Sequence, residues 1–298
     1  MTPSGAGNRA CRLVCRGIGG PENPKREIIE DTNKEKDMTD ILKKLAVVAA
    51  TLVAMIFAAG ASQAATVKVG VAAEPYPPFT VPDASGKWSG WEIEIMEAIC
   101  KEAKLDCVVT PTSWDGIIPA LTSKKIDMIV ASMSITAERM KSIDFSDKYY
   151  NTPTVIVGTK RMKFDATPEG LKGKVLAVQV STIHQAYAKK YFKGAEIKQY
   201  QTQDEANQDL VSGRVDATQA DSLALEAFLK TDQGKACCEV KGTVADDPTI
   251  LGSGVGVGIR KGESELKSKI NAAIAAIRAN GTYARISKKY FKFDIYGK

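Results

Sequence analysis

The feature that most restricts the fold is a pattern written twice. Residues 121–132 read Leu-Thr-Ser-Lys-Lys-Ile-Asp-Met-Ile-Val-Ala-Ser; residues 210–221, displaced by 89 positions, read Leu-Val-Ser-Gly-Arg-Val-Asp-Ala-Thr-Gln-Ala-Asp. Leu, Ser, Asp and Ala recur in place, and Lys/Arg and Ile/Val exchange like for like. Each copy reads as the tail of a helix, a tight turn and a buried strand, ending on Ser132 in one case and Asp221 in the other. Four identities in twelve do not by themselves make a duplication. If each strand belongs to its own α/β unit, however, Ser132 and Asp221 stand at carboxyl ends of strands, where open parallel sheets bind ligands.

The surrounding pattern supports two such units. Val67, Val69 and Val71 alternate with polar or small residues, and Glu74-Pro75-Tyr76-Pro77-Pro78-Phe79 then breaks the strand. Apolar residues at 93, 96, 99, 100 and 103 predict an amphipathic helix from Trp91. Strand 107–110, helix 115–123 and strand 126–131 follow, and Thr136 is placed to cap a further helix reaching about Ser142. The apolar strand Thr154 to Gly158 leaves this first unit. The second unit runs strand 174–179, helix 182–192, strand 196–200, helix 203–212, strand 214–219 and helix 221–230. A Gly-rich strand at 252–259, a helix at 263–279 stopped by Asn280-Gly281, and a last helix to about Phe291 complete the chain. Alternation of this kind predicts parallel sheets with helices on both faces. The Gly-rich run lacks both a phosphate-loop lysine and a strand-to-helix G-x-G-x-x-G, so it is read as a closely packed strand without a nucleotide.

Two segments precede these units. Lys43-Lys44, the apolar run Leu45 to Ala59 and the small residues before Ala64 form a secretory leader over 38–64, cleaved after Ala64. The run is too short to span a bilayer comfortably, and no cysteine near Ala64 offers a lipid acceptor. Residues 1–37 are polar, rich in Gly and Pro and without apolar period; a leader would begin at Met38, so they are read as a disordered or non-native extension. Without residues 1–64 the chain keeps 41 − 9 = 32 basic and 35 − 7 = 28 acidic residues, a net charge of +4 with no basic stripe suited to nucleic acid. Export puts the chain in an oxidising compartment, where Cys100 and Cys107 are spaced to close a short disulfide loop. The adjacent Cys237 and Cys238 are left open between a vicinal disulfide, free thiols and other partners.

Chemistry narrows to a few residues. The single histidine, His184, excludes a cage of His ligands, and no G-x-S-x-G turn accompanies it for a hydrolase triad. No metal or other cofactor is expected. Arg139, just after Ser132 and Ser134, offers a guanidinium beside hydroxyls and free backbone N–H groups, a setting that suits a carboxylate. Ser181-Thr182 opens another helix with a second N–H cluster, Asp221 complements an ammonium, and Tyr76 and Trp114 are candidate aromatic walls. Acceptors for a carboxylate and for an ammonium together spell an α-amino acid.

Several ordered motifs carry a family resemblance over 66–298: Tyr76-Pro-Pro-Phe79, Gly90-Trp-Glu-Ile-Glu-Ile95, Trp114-Asp-Gly-Ile-Ile-Pro-Ala-Leu121, Ser132-Met-Ser-Ile-Thr136 with Arg139, Asp144-Phe-Ser146, Gly213-Arg-Val-Asp216, Gly281-Thr-Tyr283 and Lys289-Tyr-Phe291. The chain resembles the periplasmic polar-amino-acid-binding proteins of ABC importers, the group with the lysine/arginine/ornithine- and histidine-binding proteins. The resemblance implies a two-lobed α/β fold, each lobe a mainly parallel sheet flanked by helices. Residues 65–153 plus 255–298 form one lobe and 154–254 the other, joined by hinge segments near 152–155 and 253–256. It implies that Arg139 grips the ligand carboxylate with the backbone N–H of Ser134 and Thr182. The ammonium goes to Asp221, Ser134 and the Ser132 carbonyl, with Tyr76 and Trp114 flanking the side chain. It further implies a monomeric periplasmic receptor that closes on its ligand and docks on an inner-membrane permease with its ATPase, and it fits a Cys100–Cys107 disulfide. Two positions depart from the pattern: the acid expected three residues before Tyr76 is Ala73, with Glu74 one place later, and Ala131 stands where a pocket serine is common. The ligand is thus a cationic amino acid first, with glutamine, histidine or an opine-like derivative next. The alternatives to transport are a cyclohexadienyl-dehydratase-like enzyme using His184 or Glu74, and a ligand sensor for a membrane receptor.

Overall fold

Strand β1 (Val67–Ala72) buries its last four residues and pairs in parallel with β4 (Cys107–Thr112) on one side and β5 (Met128–Ile129) on the other. The computed structural model describes residues 66–297 together with the isolated positions Met38 and Leu45; the extension 1–37 and the leader 38–64 otherwise lie outside the described residues. Beyond β5 the first sheet continues antiparallel into β12 (Val255–Ile259), which pairs with β6 (Asp144–Tyr150), giving the order β4-β1-β5-β12-β6. Helices α1 (Trp91–Glu102), α8 (Ser264–Ala279) and α9 (Thr282–Ser287) pack one side around Val69, Val71, Ile95, Ile99 and Ile274, while α2 (Ile117–Thr122) covers Ile129 and Phe145 on the other. Trp91, Phe79, Tyr149 and Tyr150 form an aromatic cluster within the first of these cores.

The second sheet has the order β11-β7-β10-β8-β9, built from β7 (Thr154–Thr159), β8 (Val175–Gln179), β9 (Glu196–Tyr200), β10 (Ala217–Asp221) and β11 (Cys238–Thr243). Strands β9, β8 and β10 run parallel, whereas β7 runs against both β10 and β11. Helix α3 (Ile183–Tyr191) and the short α7 (Pro248–Leu251) cover one face. The other carries α4 (Gln203–Val211), α5 (Ser222–Lys230) and α6 (Asp232–Cys237). Local chemistry starts these helices where expected: the Thr182 hydroxyl accepts the Gln185 N–H, and Thr202 with Glu205 makes a reciprocal capping box. The chain passes from the first sheet to the second between Tyr150 and Thr154 and returns between Thr243 and Val255.

One expectation is corrected. The helix after Thr136 is only a 3-10 turn at Arg139–Lys141. The Thr136 hydroxyl does accept the Arg139 N–H at 3.2 Å, but β6 begins at Asp144 and its pairing with β12 takes the chain before a helix can propagate. Each sheet is mainly parallel, as expected, with one reversed strand beside a passage: β12 in the first sheet and β7 in the second. Strands β6 and β11, helix α6 and the two-residue hairpin of β2 (Val81–Pro82) and β3 (Trp88–Ser89) had no reading in the sequence. The disulfide Cys100–Cys107 is present, with Cα atoms 6.1 Å apart, and Cys237 and Cys238 are joined to each other at the junction of α6 and β11.

Candidate functional site

Five strand ends converge on one cleft. Beyond β1 the chain places Glu74 and Tyr76, beyond β4 Trp114, and beyond β5 Ser132, Ser134 and Arg139; beyond β8 comes Thr182, and Asp221 ends β10. All eight residues singled out in the sequence line this cleft, which encloses about 540 Å³ of space not filled by atoms, part of it open to solvent. The twice-written pattern thus delivers Ser132 from one sheet and Asp221 from the other to the same place.

Side chains reach across it. The Tyr76 hydroxyl donates to Asp221 Oδ2 at 2.6 Å, and Gln179 Nε2 donates to Glu74 Oε1 at 2.9 Å. Arg139 donates through Nη1 to the Ser134 carbonyl at 2.9 Å and through Nη2 to the Ser181 carbonyl at 3.4 Å, with its guanidinium carbon 5.3 Å from the centre of the Trp114 ring. His184 is buried against Asp221, Nε2 to Oδ1 3.7 Å, and its Nδ1 lies 3.3 Å from the Thr154 hydroxyl.

Burial sets the electrostatics. It lowers the pKa of Arg139 to about 10, against the pull of Asp221, so the guanidinium stays charged at neutral pH. Burial raises the Tyr76 hydroxyl well above its ordinary value, and Asp221 pushes the same way, which keeps the phenol a donor. Glu74 is also raised, chiefly by burial, with its hydrogen bonds working against the shift. The cleft therefore sets a permanent cation near a carboxylate, with a second carboxyl group at Glu74.

Sequence reasoning missed Gln179, Gln203, Thr80 and Ile183 in the wall. It also missed Glu92, which lies fully buried and accepts hydrogen bonds from Ser132, one of the wall residues. Glu92 had a legible signal: it stands four residues before Met96 and seven before Ile99, an acid on the apolar stripe of α1. Gln179 is the last residue of β8, so the rule that strand ends face the ligand would have found it.

Comparison with known proteins agrees with this architecture. The model of the bacterial extracellular solute-binding proteins, family 3, matches residues 67–293. The chain belongs to this family. Among its relatives, the L-arginine-binding protein of Pseudomonas aeruginosa is 43% identical over 259 residues, covering 86% of this chain and 99% of that protein. The histidine-binding periplasmic protein of Salmonella typhimurium is 37% identical over 260 residues, covering 86% and 100%. In structure, an ancestral arginine-binding protein bound to arginine superposes with a TM-score of 0.69 at 38% identity, covering 76% of this chain and 98% of the other. An ancestral amino acid-binding protein described as a precursor of cyclohexadienyl dehydratase superposes at 0.68 and 34%, covering 76% and 96%. Among the described residues, no helix is long and apolar enough to cross a membrane.

Proposed function

We propose that this family member is the extracytoplasmic receptor of an ABC importer and captures a polar L-amino acid, with a cationic one, arginine above all, as the leading ligand. The observation that carries the reading is the presence of Arg139 and Asp221 in one cleft, Arg139 on the turn that follows β5 of the first sheet and Asp221 at the end of β10 in the second. A fork of N–H donors takes an α-carboxylate, and a buried carboxylate takes an α-ammonium. Ser132, Ser134 and Thr182 add backbone and hydroxyl groups to these two poles, and Tyr76 and Trp114 enclose the side chain between them. Glu74 then serves the distal end of the ligand: a carboxyl group raised by burial gains from a guanidinium or ammonium. The L-arginine-binding and histidine-binding relatives support this side-chain class.

Closure follows from the same contacts. The two sheets belong to lobes 65–153 plus 255–298 and 154–254, and the passages between them act as the hinge. A ligand that touches both lobes favours the closed form by its differential affinity, and the closed form docks on the permease. Export through the leader 38–64 places the receptor in the periplasm, as the relatives' names imply for them. The reading is tested by a thermal-shift panel of the amino acids, since binding raises the melting temperature by mass action. Stabilisation by arginine, lysine or histidine is expected. No shift with any α-amino acid refutes it, and turnover of prephenate or arogenate would favour instead an enzyme using His184 or Glu74.

A further inference from the structure

Behind the ammonium side of the cleft lies a carboxylate with none of its surface exposed. Glu92 stands in the first turn of α1, and its Oε1 accepts the Ser132 backbone N–H at 2.7 Å and the Tyr149 hydroxyl. Its Oε2 accepts the Ser132 hydroxyl at 3.0 Å. All three donors are neutral. A buried carboxylate held only by neutral donors is costly, and an apolar side chain of similar volume would spare a core that cost.

The backbone is arranged to bring this acid to Ser132. Helix α1 starts hard against the loop that carries Tyr76, Trp91 N–H donating to the Pro78 carbonyl at 2.9 Å and Glu92 N–H to the Phe79 carbonyl at 3.0 Å. Gly90 makes that approach possible: its φ is 118°, and a Cβ there would lie 2.3 Å from the Phe79 carbonyl oxygen. Ser132 has a φ of 52°, a left-handed conformation that crowds the Cβ of any non-glycine residue against its own backbone. Glu92 secures it by binding both the amide and the hydroxyl. A strained wall residue, fixed at two points by a buried acid, is an arrangement that serves the cleft more than the core.

We propose that Glu92 is a positioning residue for the amino-group side of the cleft, holding the Ser132 turn from behind and supplying negative charge that an α-ammonium in front of Ser132 and Asp221 neutralises. The proposal rests on the amino-acid reading above and extends it to a residue outside the cleft wall.

Its electrostatic consequence can be measured. The phenols of Tyr149 and Tyr150, on β6, and of Tyr76 are all raised well above their ordinary values by burial, so they remain neutral. Asp221 is the charged neighbour that acts on Glu92, and together with burial, the larger cause, it raises the Glu92 pKa to about 7. An arriving ammonium favours the ionised carboxylate, so binding expels a proton wherever the free protein still holds one. Affinity therefore rises with pH through the region near 7 and levels above it. Glu92→Gln is a clean probe, because its carbonyl still accepts from Ser132 and Tyr149 while its amide donates to the Ser132 hydroxyl.

The experiment is titration calorimetry of wild type and E92Q with L-arginine at about pH 6.5, in two buffers of different ionisation enthalpy. E92Q is expected to bind roughly tenfold more weakly, to release fewer protons than wild type and to lose the pH slope of affinity, without loss of thermal stability. His184, beside Asp221, is common to both proteins, so the difference isolates Glu92. Equal affinity and equal proton release in the two proteins would overturn the proposal. A wild-type protein that takes no α-amino acid would sink the underlying reading, and this proposal with it.

Discussion

Glu92→Gln also makes a prediction about the protein without ligand, and its size follows from the structure. Native Glu92 titrates at about 7 against an ordinary 4.5, because burial penalises its charge more than Tyr149 and Ser132 relieve it. At 1.36 kcal/mol for each tenfold change in proton affinity, that difference is ~3 kcal/mol. The sign is set by which state holds the proton. Between about pH 4.5 and pH 7 the unfolded chain has released it and the native state has not, so stability falls as pH rises through this window. E92Q, with no proton to lose, lacks this contribution. For a protein of this size ~3 kcal/mol corresponds to a change in melting temperature of about 6–12 °C. Melting curves of both proteins from about pH 4.5 to pH 8, followed by circular dichroism, should show E92Q gaining on wild type by this amount, then running parallel above neutrality. A melting-temperature difference that does not change with pH would refute the account of Glu92 as a costly buried acid.

Gly90→Ala should destabilise the fold by ~3 kcal/mol or more, from a left-handed φ combined with a clash on main chain that cannot rotate away; denaturant unfolding measures it. The same variant should weaken amino-acid binding, since the displaced loop carries Tyr76. Replacing Cys100 and Cys107 by serine should cost about 2–3 kcal/mol by the entropy of a short closed loop, read as a lower midpoint with an intact far-ultraviolet spectrum. Arg139→Lys keeps the charge and loses the fork, so L-arginine affinity should drop by about a hundredfold in calorimetry while the melting temperature changes little.

Much of the site was legible because strand ends are legible. Once the alternation of strands and helices was read, Ser132, Trp114, Thr182 and Asp221 fell at or just beyond carboxyl ends of strands, and the structure brings all of them to one cleft. The twice-written pattern found both sheets at once. What escaped was decided by tertiary pairing. β6 reads Asp-Phe-Ser-Asp-Lys-Tyr-Tyr, too polar for an isolated strand reading, and exists because β12 pairs with it. The turn around Arg139 looked helical for the converse reason, its good N-cap at Thr136 being overridden by that same pairing. The role of Glu92 is not legible in the sequence because an acid in the first turn of a helix is ordinarily explained by the helix dipole and solvent. Only its burial, with Ser132 as its partner, points to another role.

A crystal structure of the protein with L-arginine tests the central claim most directly. The ligand carboxylate should lie about 3 Å from the Arg139 guanidinium, with its α-ammonium on Asp221 and the Ser132 carbonyl. A ligand bound with its carboxylate turned away from Arg139, or lodged outside this cleft, would contradict it.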